Sequence, residues 1–217
     1  MNVTLNTLAP LPNALRQIRQ DGLARRHRIG DHEIDRGALQ HFNDLLKYLD
    51  LQQMPLECDQ VASAARELVD DTNQGRSPRC IAQRMRRAAA IDLMRKDPDW
   101  ETRDAAAIRV VATVVDYLRS SQVLIPHVVP VVGRLSDAIV VETAWPSLAT
   151  EVEQYLAFCR IRHVEAILRG ETHRTFGFTR EQWQAAALAE ATWIVHCHRV
   201  GGDSYLLRNQ PARFRVN

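Results

Sequence analysis

Histidine and cysteine side chains at short spacing are the groups in this sequence that could do metal chemistry. Cys159 and His163 are four residues apart, so on a helix they share a face, as two ligands of one metal ion would. A zinc site needs three or four ligands, and no second pair is at hand in the sequence. His196, Cys197 and His198 cannot chelate one ion together, because helical residues two apart point about 200° away from each other. The sequence therefore predicts no metal site.

Covalent and cofactor chemistry have no recognisable motif either. The chain has only nine glycines, and they form no GxSxG elbow, no P-loop and no GxGxxG turn. A cysteine that meets a distant histidine in the fold leaves no signature in the sequence. We therefore predict no catalytic residues and no cofactor, with a small helical enzyme that conceals a cysteine or metal centre as the alternative.

The charges are nearly balanced overall but are concentrated in one segment. The chain has 28 Lys and Arg against 26 Asp and Glu, a formal net charge of +2, which excludes a generally basic polyanion binder. Between residues 76 and 96, seven basic residues stand against the single acid Asp92. The candidate anion-binding side chains of this predicted helix are Arg79, Arg84, Arg86 and Arg87. They would suit an acidic protein surface or anionic lipid. Nucleic acid is less favoured, because no aromatic residues interleave with the arginines.

The cellular setting is predicted from cysteine usage and hydropathy. The four cysteines are scattered, without a CxxC pair or a disulfide-dense pattern, which is typical of a reducing compartment. The uncharged start contains Pro10 and Pro12 and lacks a basic leader, so it does not resemble a secretory signal. The uncharged stretch from Ser120 to Gly133 has 14 residues, whereas a membrane-spanning helix needs about 20. We expect a cytoplasmic protein, with peripheral contact to the inner membrane as an option.

The elements that must position these residues are predicted to be helices. Apolar side chains recur with a period near 3.6 residues, and caps or prolines mark the helix starts. Expected starts are Asp31, Pro55, Ser77 with Pro78, Asp97 with Pro98, Ser136, Pro146 and the Thr179 to Gln182 capping box, after a short helical stretch around Leu15. The predicted architecture is an all-α bundle of seven or eight helices. It divides near Asp97 into parts 1–96 and 97–217, or forms one domain.

One segment resembles a known family. The run VLIPHVVPVVGRLSDAIVV, Val123 to Val141, resembles the YkvA-like family, a helical domain of unknown function with the pattern D-L-I-P-D-x-I-P-V-x-G-x-x-D-D. Matching residues are Leu124, Ile125, Pro126, Pro130, Val131, Gly133 and Asp137. The resemblance covers about Ala107 to Leu148 and implies a proline-punctuated helical hairpin. It implies no settled activity, although some members of the family look membrane-associated. Val123, His127 and Ser136 stand where the family usually has aspartate, so a metal role of those acids is not carried over.

The same segment has a physical interpretation of its own. Pro126 and Pro130 each fix φ and remove a backbone donor, so Leu124–Gly133 is predicted to form a tight turn, here called the proline corner. In one interpretation the corner packs in the core, and Asp137 caps or supports the following helix. In the other, an apolar wedge is exposed to a partner or to a membrane interface. The wedge residues are Val128, Val129, Val131 and Val132.

Together these features predict a bacterial, non-enzymatic helical interaction protein. It would dock on a protein partner or peripherally on the inner membrane, through the proline corner and the arginines of the basic helix. The alternatives are the concealed helical enzyme described above and nucleic-acid binding through the Arg76 to Lys96 helix.

Overall fold

The structure is a computed structural model that describes residues 8–16, 26–72, 78–172 and 176–202. The chain divides into two compact units, Met1–Leu156 and Ala157–Asn217. Over the described residues the fold is mostly helical, with six α-helices and one two-stranded sheet. The helical class is therefore confirmed, whereas the expected count of seven or eight helices is too high. The division predicted near Asp97 falls within the first unit, in the loop before the fourth helix.

A small hairpin precedes the first helix. Strands β1 (Arg28–Ile29) and β2 (His32–Glu33) pair antiparallel around Gly30, which has a φ of +58°. The sequence predicted a helix opening at Asp31, but helix α1 begins at Arg36, where Asp35 accepts a hydrogen bond from the Ala38 amide. The prediction was wrong because Gly30 adopts the left-handed conformation of a hairpin turn. Asp31 lies in that turn and not at the start of a helix. Of the short stretch expected around Leu15, Asn13–Arg16 forms a 3-10 turn, and residues 17–25 lie outside the described part.

The core of the first unit is built by four whole helices and the first part of a fifth, described below. The four are α1 (Arg36–Leu49), α2 (Cys58–Asp71), α3 (Arg79–Lys96) and α4 (Ala105–Arg119). Each buries one stripe at the period of an amphipathic helix, as Val61, Ala65 and Leu68 do in α2. Helix α3 begins after Pro78 as expected, while the proposed cap Ser77 lies outside the described residues. Helix α4 starts at Ala105 with Asp104 as its cap, rather than at Asp97 and Pro98.

Helix α5 (Leu135–Leu168) replaces two predicted helices and lowers the count by one. The sequence placed separate starts at Ser136 and Pro146, but the helix runs through both positions. Pro146 removes one backbone hydrogen bond, yet Ala144 and Leu148 on either side are fully buried. Burial of this apolar segment outweighs the lost bond, so proline does not end the helix here.

The second unit contains the last part of α5 and helix α6 (Arg180–Gly202). The predicted Thr179 to Gln182 capping box is confirmed: the Thr179 amide donates to Gln182 Oε1 at 2.8 Å, and the Gln182 amide donates to Thr179 Oγ1 at 3.3 Å. Phe158 stacks on Phe178 with ring centroids 5.6 Å apart, and Phe178 stacks on Phe176 at 5.7 Å. These rings form the apolar centre of the unit. None of the helices in the described part of the chain is long and apolar enough to cross a membrane.

Candidate functional site

The proline corner is a tightly wound turn between α4 and α5. The Val129 amide donates to the Pro126 carbonyl at 3.0 Å, and the Gly133 amide donates to the Val129 carbonyl at 2.9 Å. Val131 has a φ of +66°, a conformation that costs a β-branched residue free energy. A Cβ atom at Gly133 would lie 2.6 Å from the His127 carbonyl oxygen, so only glycine fits there. The corner therefore has one defined shape.

Asp137 holds this shape from the first turn of α5. Its side chain is fully buried, and its Oδ2 accepts hydrogen bonds from His127 Nε2 at 3.0 Å and from Arg134 at 3.2 Å. Burial raises the pKa of the Asp137 carboxyl, and the neighbouring His127 and Arg134 oppose that rise. The Asp137 Oδ1 atom has no hydrogen-bond partner among the described residues. Asp137 was expected to cap or support the following helix; the contacts of its side chain described here are to the corner that precedes the helix.

Two further contacts attach the corner to helix α4 and to strand β2. The Leu124 amide donates to the Tyr117 hydroxyl of α4 at 3.3 Å, and the ring of Tyr117 lies against Phe42 of α1, with centroids 5.7 Å apart. Burial raises the pKa of Tyr117, so its hydroxyl stays protonated. The ring of His32 lies 3.4 Å from the Leu124 carbonyl oxygen. Both the amide and the carbonyl group of Leu124, the first residue of the corner, therefore have contacts to neighbouring elements.

The four valines of the predicted wedge are divided by the fold. Val128 is 87% exposed, Val129 and Val131 are partly exposed, and Val132 is fully buried. Val132 directly follows Val131, whose left-handed backbone, with a φ of +66°, breaks the extended alternation of side chains before α5. The exposed wedge is thus smaller than the sequence suggested and centres on Val128.

The cations of the basic helix are mostly engaged within the first unit. Arg84 is only 1% exposed; its Nε donates to Glu142 Oε2 at 3.0 Å, and its NH1 donates to the Ala9 carbonyl at 2.8 Å. A second nitrogen of Arg84 lies 3.0 Å from Glu142 Oε1, so the pair is bidentate. Arg84 is therefore unavailable to a ligand, because it lies in the buried stripe of α3 with Ile81 and Ala88.

Arg79 and Arg86 remain exposed, whereas Arg87 does not face solvent freely. The Arg87 guanidinium lies over the Trp145 ring at 3.7 Å and 3.7 Å from Glu142. Further along α3, Arg95 pairs with Asp116 and Lys96 with Asp92, while Arg76 lies outside the described residues. The structure thus leaves two of the four candidate arginines as an open cationic surface.

A groove of about 1050 Å³ lies between the hairpin, α1 and the start of α2. His27 and Cys58 both line it, which is the combination of residue types that a thiol enzyme would need. Cys58 is partly exposed and is the first residue of α2. The concealed-enzyme alternative therefore has a place in the fold where it can be tested.

Within the described residues, no group of three or more His, Cys, Asp or Glu side chains is arranged to hold a metal ion. Cys159 and His163 each have an interaction partner. The ring of His196 lies 5.7 Å from that of Trp193 on exposed α6, beside Cys197 and His198.

Sequence reasoning missed two residues that organise these sites, His127 and Glu142. His127 carried a signal, since it stands where the resembling family has aspartate, but a histidine there gains meaning only beside Asp137. Glu142 had no local signal, because its partner Arg84 is 58 residues away in the sequence. For Arg84 itself, the spacing Ile81, Arg84, Ala88 and Ile91 is that of a buried helical stripe.

Comparison of the chain with protein-family models, with curated proteins and with solved structures finds no match in any of the three.

Proposed function

We propose that this chain is a non-enzymatic interaction protein that docks on a protein partner through the proline corner. The observation that carries the proposal is the Asp137 carboxylate, which is fully buried and holds two partly exposed residues, His127 and Arg134. A buried charge is costly unless it is paired, so these contacts fix the surface side of the corner as well as its interior. The exposed Val128 is presented on that fixed surface.

The chemistry of the corner defines the kind of partner. Val128 offers an apolar tip, while the Arg134 guanidinium is about half exposed and the imidazole of His127 about one third. An apolar tip beside the Arg134 guanidinium is complementary to an apolar pocket with an acidic rim. Because the corner is already ordered, little conformational entropy would be lost on binding.

The exposed guanidiniums of Arg79 and Arg86 supply a second cationic element of the same unit. They favour an acidic protein partner. Two arginines would neutralise only a few phosphates, which favours nucleic acid less. We also propose that the chain belongs to the YkvA-like family. Its proposed location is the cytoplasm, with peripheral contact to the inner membrane.

The test is site-specific photo-crosslinking in the cells that naturally express the protein. A photoreactive amino acid is placed at position 128 and, in a matched control, at position 51, because Leu51 is 82% exposed and lies in the same unit. We expect a discrete protein adduct from position 128 and none from position 51. The adduct should weaken with Arg134→Glu, provided that circular dichroism shows this variant to be folded.

Flotation on vesicles containing phosphatidylglycerol runs in parallel with the crosslinking. Flotation that depends on Val128, without a protein adduct, would replace the protein partner by a membrane surface. No adduct and no flotation would refute docking through the corner.

The second candidate function is the thiol enzyme. The observation that favours it is the presence of Cys58 and His27 in the large groove. A Cys58 thiol that reacts much faster with iodoacetamide than the exposed Cys197 would support it, whereas slower reaction would count against it.

A further inference from the structure

The second half of α6 exposes its side chains on every side. From Leu188 to Arg199, each residue of the helix is exposed. Leu188 is 70% exposed and Val195 is 67% exposed, and at 100° per residue they lie about 20° apart on one side of the helix, whereas Trp193, 65% exposed, lies on another side. Scattered apolar residues on a surface are ordinary, whereas a contiguous set along one helix marks an interaction site.

Six exposed residues of α6 follow a regular spacing of alternately four and three positions. This series, here called the α6 stripe, consists of Glu181, Ala185, Leu188, Thr192, Val195 and Arg199. The spacing is that of the a and d positions of a heptad repeat, which form the contact seam of a two-helix coiled coil. The Thr192 hydroxyl donates to the Leu188 carbonyl at 2.8 Å, so burying Thr192 would strand no donor.

Two residues on other sides of α6 make contacts within the second unit. Arg180 is buried and Glu190 pairs with Arg160 of α5 at 3.3 Å. At 100° per residue, both lie outside the arc that the α6 stripe occupies. The α6 stripe therefore lies on a different side of the helix from these two residues.

The α6 stripe is complementary to itself when two copies run antiparallel. A two-fold axis at position 190 pairs Leu188 with Thr192 and Ala185 with Val195, so that a larger side chain meets a smaller one. The same axis sets Glu181 opposite Arg199, which joins opposite charges at both ends. Each of these pairs also joins a d position to an a position, as antiparallel coiled coils require.

A parallel arrangement of two stripes lacks this match. It would set Glu181 against Glu181 and Arg199 against Arg199, placing like charges at both ends. The charges at the two ends of the α6 stripe therefore favour an antiparallel over a parallel arrangement of two copies of the chain.

We propose that the α6 stripe is a self-association surface on which α6 of a second copy of this chain lies antiparallel, with Glu181 of each copy beside Arg199 of the other. The proposal is independent of docking through the proline corner, which belongs to the first unit. The contact is small, with a dissociation constant on the order of 10 µM, because interfaces at the low end of the size range bind weakly.

Sedimentation equilibrium of the full chain between about 1 and 200 µM is the primary test, since this range brackets the expected dissociation constant. We expect a monomer–dimer equilibrium. Leu188→Gln should abolish dimerisation, whereas Leu168→Gln should not, because Leu168 is 74% exposed in the same unit but lies on α5. A monomer at every concentration would overturn the proposal.

Charge exchange tests the pairing even if Leu188→Gln disturbs folding. Glu181→Arg alone and Arg199→Glu alone should each raise the dissociation constant by about fivefold, since exposed ion pairs contribute modestly. The double variant should restore the wild-type value. If it binds no better than the single variants, the two residues do not meet across the interface.

Disulfide trapping determines the direction. In a Cys197→Ser background, Ala185→Cys and Val195→Cys are introduced together, and the oxidised dimer is mapped by mass spectrometry. The antiparallel arrangement predicts links between positions 185 and 195 of different copies. Links from 185 to 185 would overturn it.

Discussion

Arg84 and Asp137 are both buried charges of the first unit, and they differ in what they are paired with. Arg84 donates to Glu142 and to the carbonyls of Ala9 and Cys80, so its contacts hold α3 to α5 and to the N-terminal segment. Asp137 is held by His127 and Arg134, which are near it in the sequence, and its Oδ1 atom has no hydrogen-bond partner among the described residues. The first arrangement joins segments that are distant in the sequence, whereas the second orders a local turn.

Removing the partner of Arg84 should have the largest effect. Glu142→Ala leaves the guanidinium buried without its carboxylate, and we expect the free energy of unfolding to fall by about 3 kcal/mol. Asp70→Ala is the matched control, because the Arg66–Asp70 pair is exposed and should contribute less than about 1 kcal/mol. Urea denaturation measures both. Equal losses of stability in the two variants would show that the buried Arg84–Glu142 pair contributes no more than an exposed pair.

The shape of the corner should be next in sensitivity. Gly133→Ala places a methyl group against the His127 carbonyl, and we expect a loss of about 2 kcal/mol. Gly177→Ala meets no atom within 4 Å and should change stability by less than about 0.5 kcal/mol. If Gly133→Ala has the same urea midpoint as wild type, the corner accommodates a methyl group at position 133, and the close contact with the His127 carbonyl does not fix its shape.

The charge of Asp137 should appear in the pH dependence of stability. Its pKa is raised by burial, so the folded chain holds this proton more tightly than the unfolded chain does. Wild type should therefore lose stability relative to Asp137→Asn as pH rises from the ordinary carboxyl pKa through the raised one, with a constant difference above it. Urea denaturation across that range measures the difference. A wild type that gains on the variant as pH rises would contradict this account of the corner.

Thiol reactivity compares the interior with the surface without changing stability. Burial raises the pKa of Cys80 and shields it, so it should be labelled last, whereas the exposed Cys197 should be labelled first. Mass spectrometry after timed exposure to iodoacetamide gives the order. Rapid labelling of Cys80 in the folded chain would indicate that α3 opens readily.

The sequence predicted those structural features whose contacts join residues that are close together in the chain. The Thr179 to Gln182 capping box and the apolar stripe of α2 were readable, because their contacts span a few residues. The continuity of α5 through Pro146 was not readable, since it depends on tertiary burial of the flanking residues.

The candidate site shows the same limit. The sequence identified Pro126, Pro130, Gly133 and Asp137 as a structural motif, but not which valines stay exposed. Val132 and Val128 are chemically identical and only four residues apart, and the left-handed turn at Val131 separates their environments.

The most direct test of the central claim is the yield of crosslinked protein from position 128 relative to that from position 51. The account predicts a discrete adduct at position 128 alone, because Val128 is presented on a corner fixed by Asp137, whereas Leu51 is merely exposed. Indistinguishable yields from the two positions would contradict it.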